Sequence, residues 1–172
     1  MRILNLTSAS ALLAVSCAVP LPDGDHEVGA WRTGIAIGVA NDTDFQNASA
    51  DTDAVTIDVG KILGPHGEFG ARLNRTDITG TTVETASLGA YARWYVEPVA
   101  FLSPWGEVGA SFAGLDFGTG DESGWQYSLS GGTSWYFTSS LGLEVFLRYV
   151  LGNYESEVIR SADLGVGVTA LW

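Results

Sequence analysis

Arg160-Ser-Ala-Asp-Leu-Gly-Val-Gly-Val-Thr-Ala-Leu-Trp172 alternates apolar residues with small or polar ones up to an aromatic end. Side chains of a strand point to opposite faces in turn. Leu164, Val166, Val168, Ala170 and Trp172 therefore share one face, and Asp163, Gly165, Gly167 and Thr169 the other. The stretch reads as a strand with one greasy face and one face of small residues carrying a single charge.

The same period recurs upstream. It predicts strands at about Ala30 to Ala40, Asp53 to Leu63, Glu68 to Thr76, Val83 to Val96 and Trp105 to Leu115, then an aromatic strand from Trp125 to Phe137, and one from Leu141 to Tyr149. With the final strand that makes eight, all explained by period two rather than by a helical stripe. The links alternate in kind. Asn41 to Asp51, Asp77 to Thr82, Asp116 to Ser123 and Gly152 to Glu157 are longer and acidic, whereas Gly64 to Gly67 and Thr138-Ser139 are tight. The Pro-bearing link Glu97 to Pro104 is longer than that pattern wants. An even number of strands, short turns at the end holding both termini and longer loops at the other predict an eight-stranded antiparallel up-and-down transmembrane β-barrel. The acidic links are expected to face the cell exterior.

Period alone fits a soluble barrel with its faces exchanged. The small-residue face decides between them. It is rich in Gly, Ser, Ala and Thr with charges spaced singly, as a narrow interior requires, whereas a water-facing surface would carry many more Lys and Glu. The other face bears Trp31, Trp94, Trp125, Trp135, Phe137 and Trp172 near strand ends, the placement of aromatic belts at two membrane interfaces. A secreted soluble ligand-binding barrel stays as the alternative that a detergent requirement would dismiss.

Composition agrees. The chain has 172 residues, 46% of them hydrophobic, with 22 Gly and 6 Trp, which suits one domain of many short strands. A formal charge of −12 argues against a nucleic-acid partner, which needs clustered Lys and Arg. At the N-terminus, Arg2 followed by an apolar run from Ile3 to Val15 and small residues at Ser16 and Ala18 has the layout of a secretory signal, so residues 1–18 are read as a signal peptide. Cys17 offers the rival reading of lipidation, and, as the single cysteine, no disulfide within the chain. Residues 19–29 are a polar leader, and 30–172 the barrel.

Ser87-Leu-Gly-Ala-Tyr-Ala-Arg-Trp-Tyr95, Pro104-Trp-Gly-Glu-Val-Gly-Ala110 and the terminal pattern Gly167 to Trp172 resemble the small bacterial outer-membrane barrels typified by the OmpA transmembrane domain, OmpX and Ail. The resemblance implies an outer-membrane location, a filled or narrowly gated lumen, and exposed loops that contact hosts, lipids or other cells in an adhesive or envelope-integrity role. Outer-membrane lipids, the barrel-assembly machinery acting on the C-terminal strand, and host or cell-surface ligands are the partners it implies, for a monomer with no cofactor. With the chain read to Trp172, the resemblance is not expected to extend to wall anchoring by a peptidoglycan-binding domain.

Catalysis finds no support in the residues. Barrel deacylases carry a His-x-Ser dyad, but His26 precedes Glu27-Val28 and His66 precedes Gly67-Glu68, so neither has a nucleophile to activate. Asp42, Asp44, Asp51 and Asp53 lack the ligand spacing of a calcium loop. The chain is expected to be no enzyme and to hold no metal. What remains are the charges turned inward. Asp58, Arg72, Arg93 and Glu107 are expected to form one ladder, Arg32 to meet Glu144, and Arg148 to lie level with Asp163. The pairing is expected because an isolated charge in a dehydrated lumen is costly. A structural plug and a narrow gated pore are the two roles such a set could serve; open channels need 16 or more strands.

Overall fold

The computed structural model describes residues 28–45, 48–79, 83–97, 102–116, 121–155 and 158–172. Among these residues nine strands occur in chain order: β1 Trp31–Phe45, β2 Ala48–Ala50, β3 Thr52–Gly64, β4 Gly67–Ile78, β5 Glu84–Tyr95, β6 Ser103–Asp116, β7 Asp121–Tyr136, β8 Leu141–Tyr154 and β9 Val158–Leu171. The short β2 pairs only with the tip of β1 and runs into β3, so the wall has eight staves. Each stave pairs antiparallel with its sequence neighbour, and β1 pairs with β9 to close the sheet into an up-and-down barrel. At the seam, Trp31 and Trp172 exchange backbone hydrogen bonds of 2.7 and 2.9 Å.

Several strands outrun their sequence-based bounds. β1 continues through Phe45 and β2 takes residues 48–50, inside the expected link at 41–51; β7 begins at Asp121; β8 ends at Tyr154 and β9 begins at Val158. Polar, acidic residues there mark where the outer face leaves the apolar band, and the backbone ladder carries on past that point. β7 has 16 residues, against the roughly 9–11 that a tilted strand needs to cross a bilayer. At the opposite end the turns are tight. Thr138 Oγ1 accepts from the backbone N–H of Ser140 at 3.2 Å and of Leu141 at 2.9 Å, the side-chain mimicry of a turn that threonine favours. Pro104 falls within β6, near its start, where a missing N–H is tolerated.

The packing is inside out. Ile35, Val55, Leu73, Leu88, Phe112, Leu129, Leu147 and Val168 lie exposed on the outer face, while arginines, carboxylates, serines and threonines are buried within. A soluble barrel would bury the first set and hydrate the second. The interior is filled by leaving out side chains as much as by adding them. A Cβ on Gly165 would run into the Phe146 ring, and one on Gly60 or Gly70 into Tyr91.

Candidate functional site

Charge fills the barrel's interior. Arg32 of β1 sets Nη1 3.1 Å from Asp58 Oδ1, and Nη2 at 3.0 and 3.1 Å from the two carboxylate oxygens of Glu144. Arg72 of β4 makes a bidentate pair with Glu107, one arm at 2.8 Å, and reaches Asp58 at 3.3 Å. Arg93 of β5 donates to Glu107 at 2.9 Å and to Glu144 at 2.8 Å, and lies 3.7 Å from Asp58. The ladder of Asp58, Arg72, Arg93 and Glu107 and the contact of Arg32 with Glu144 thus form one connected network, drawn from β1, β3, β4, β5, β6 and β8. Bidentate guanidinium–carboxylate geometry suits it, since a planar fork satisfies two oxygens at once.

Glu68 also belongs to this network. It accepts hydrogen bonds from the hydroxyls of Tyr91 and Tyr95, with Arg32 Nη1 at 3.7 Å. Alternation already turns Glu68 inward, with the same parity as Arg72; what the sequence hides is the pair of tyrosines that carry the contact across strands. Aromatic faces back the guanidiniums. Arg72 sits 4.6 Å over Tyr91 and Arg93 3.8 Å over Trp105, a geometry that adds cation–π attraction to the ion pairs. Trp105 Nε1 donates to Ser134 Oγ at 3.1 Å, and Ser134 Oγ donates to Glu144 at 3.0 Å.

Arg148 and Asp163 behave differently. They are register partners on β8 and β9. Yet Arg148 Nη1 donates across the lumen to Thr56 Oγ1 at 2.9 Å, and among the described residues neither closes an ion pair. Above them, at the loop end, Ile78, Val83, Ala113, Leu115, Tyr154 and Ile159 form an apolar layer across the mouth.

On the outer face, Trp31, Trp94, Trp135, Phe137 and Trp172 gather at the turn end, and Trp125 stands in the loop half beside Phe112, edge-on at 5.8 Å. Trp31 and Trp172 stack at 6.1 Å across the seam, with Lys61 Nζ 5.6 Å from the Trp31 ring. Past the apolar band at the loop end, Asp53, Asp77, Glu84, Asp116 and Asp121 lie in one lateral register over β3 to β7, each opposite the next. Arg75 donates to Asp77 at 3.2 Å and to Glu84 at 2.8 Å. Beside them opens a hollow of about 590 Å³ lined by Glu84, Asp116, Asp121, Glu122 and Glu155. Asp53, Asp77, Asp116 and Asp121 were visible in the sequence as acidity in or beside the predicted links, whereas Glu84 fell inside a predicted strand; their alignment into a row follows from register.

Among solved structures, the chain is similar to Neisserial surface protein A, with a TM-score of 0.69 at 20% identity over 83% of this chain and 96% of that one. It is also similar to Ail, the attachment invasion locus protein of Yersinia pestis, with a TM-score of 0.57 at 8% identity over 84% and 99% of the two chains. The N-terminal barrel of Pseudomonas aeruginosa OprF matches with a TM-score of 0.52 at 16% identity over 82% and 97%. The fold is that of the small eight-stranded outer-membrane barrels. Ail has also been solved with the heparin analogue sucrose octasulfate, and that structure matches with a TM-score of 0.54. No family model matches the sequence, and neither does any curated protein.

Proposed function

We propose that this chain is a non-enzymatic outer-membrane barrel protein that acts at the cell surface through its acidic loop end. The row Asp53, Asp77, Glu84, Asp116 and Asp121 carries this reading. Like charges placed directly opposite on neighbouring strands destabilise a sheet by a few tenths of a kcal/mol to about 1 kcal/mol per pair. Arg75 bonds two members of the row, Asp77 and Glu84. Such a surface attracts a cationic partner and repels a sulfated one, the opposite of the ligand seen on Ail. The filled lumen supports a surface role over conduction, because the ion-paired network and the apolar layer at the mouth both lie across the path.

The test uses the barrel reconstituted in neutral vesicles. An oligolysine peptide should bind to them with an affinity that falls as salt rises, and a heparin fragment should not bind. Asp116→Asn with Asp121→Asn should weaken the peptide severalfold without changing the folded fraction. Equal binding by the double variant, or preferential binding of heparin, would reject the cationic-partner reading.

A further inference from the structure

The buried charges do not balance. Among the described residues, the buried guanidiniums are Arg32, Arg72, Arg93 and Arg148, and the buried carboxylates are Asp58, Glu68, Glu107, Glu144 and Asp163, an excess of one negative charge. Asp58, Glu68, Glu107 and Glu144 are each held by arginine or tyrosine donors. Asp163 is 8% exposed, and its Oδ1 has no hydrogen-bond partner. Its register partner Arg148 is drawn away to Thr56.

Asp163 lines a small chamber of about 30 Å³ beneath the apolar layer, together with Asn74, Thr76, Gln126, Tyr154 and Ser161. One water occupies roughly 10–15 Å³ by this measure, so the space takes an ion with about one water. Its oxygens are hard ligands with lone pairs to spare. Thr76 Oγ1 accepts from Asn74 Nδ2 at 3.1 Å and Tyr154 Oη from Gln126 Nε2 at 2.7 Å, which leaves further acceptor capacity on each. One carboxylate among neutral oxygens, with a deficit of one positive charge, suits a monovalent cation; a divalent ion would call for more carboxylates.

We propose that the chamber at Asp163 binds a small monovalent cation, which completes the charge balance of the lumen. The site is separate from the acidic rim and stands or falls independently of the surface role.

The full chain refolded in detergent provides the test. At constant pH and ionic strength, the midpoint of thermal unfolding should rise as N-methylglucamine chloride is replaced by sodium or potassium chloride. Asp163→Asn should fold at least as well in N-methylglucamine, since it removes a buried charge, and should lose the response to the cation. Ser161→Ala, which keeps the charge, should shift the response to higher sodium concentration. Broadening of the ²³Na resonance by wild-type protein but not by the Asp163→Asn variant would report binding directly. The proposal is overturned by a midpoint indifferent to the cation, by a response that survives in the Asp163→Asn variant, or by dependence on pH alone. It is equally overturned by strong coupling between Arg148 and Asp163 in a double-mutant cycle with no cation effect, which would mean that the two close on each other.

Discussion

Glu107 meets two arginines in the interior, and its side chain is fully buried. Removing its charge leaves Arg72 and Arg93 short of a partner each. Breaking one side of such a pair costs about 3–5 kcal/mol, so Glu107→Gln should lower unfolding free energy by that order in denaturant titrations of the folded barrel. Coupling between Arg93 and Glu107 should be large in a double-mutant cycle, while Arg75, paired at the exposed rim, should couple to Glu84 only weakly. A second residue-scale test concerns space. Gly165→Val places side-chain atoms in the Phe146 ring and should cut the yield of folded, heat-modifiable protein; adding Phe146→Ala should restore part of it. No restoration would mean that Gly165 matters for another reason.

At the scale of the strand, Val166 and Leu143 lie on the outer face of β9 and β8 within the apolar band. An arginine at Val166 should cost about 2–4 kcal/mol, the value near a bilayer midplane, and one at Leu143, opposite Trp135 of the turn-end belt, should cost less, read by folding titrations into lipid vesicles. Tolerance of both arginines would speak for water at that face. Period two made the staves and their faces legible in the sequence, because one buried and one exposed face per strand leaves a mark at every second residue. Strand ends were less legible. Asn41 to Phe45 and Asp121 to Ser123 read as loop because composition reports the solvent around a side chain, whereas ladder hydrogen bonds belong to the backbone. Contacts across the lumen were hidden for a further reason. Strand tilt shifts the heights of residues counted along the chain. Glu68, beside the turn at Gly67, therefore reaches Tyr91, Tyr95 and Arg32, and Arg148 spans to Thr56 on β3.

For the whole molecule, the arrangement of ends gives a topology to test. The strand ends at Phe45 and Tyr154 lie opposite the tight turn at Thr138, and the links that follow them are expected outside the cell. Epitope tags inserted in them should be detected on intact cells; detection only after permeabilisation would invert the orientation. Purified barrel in planar bilayers should show no steady conductance, in keeping with a lumen crossed by ion pairs and capped at its mouth, and sustained openings would favour a pore. The seam between β1 and β9 also bears on time as well as space. β1 has one of its two neighbours in β9, so its free edge waits on every strand between them. Pairings that span the full sequence are slow to form, and an open edge is an invitation to aggregate. Until Trp172 docks beside Trp31, that edge stands open, and the last pairing to form is also the one that shields it.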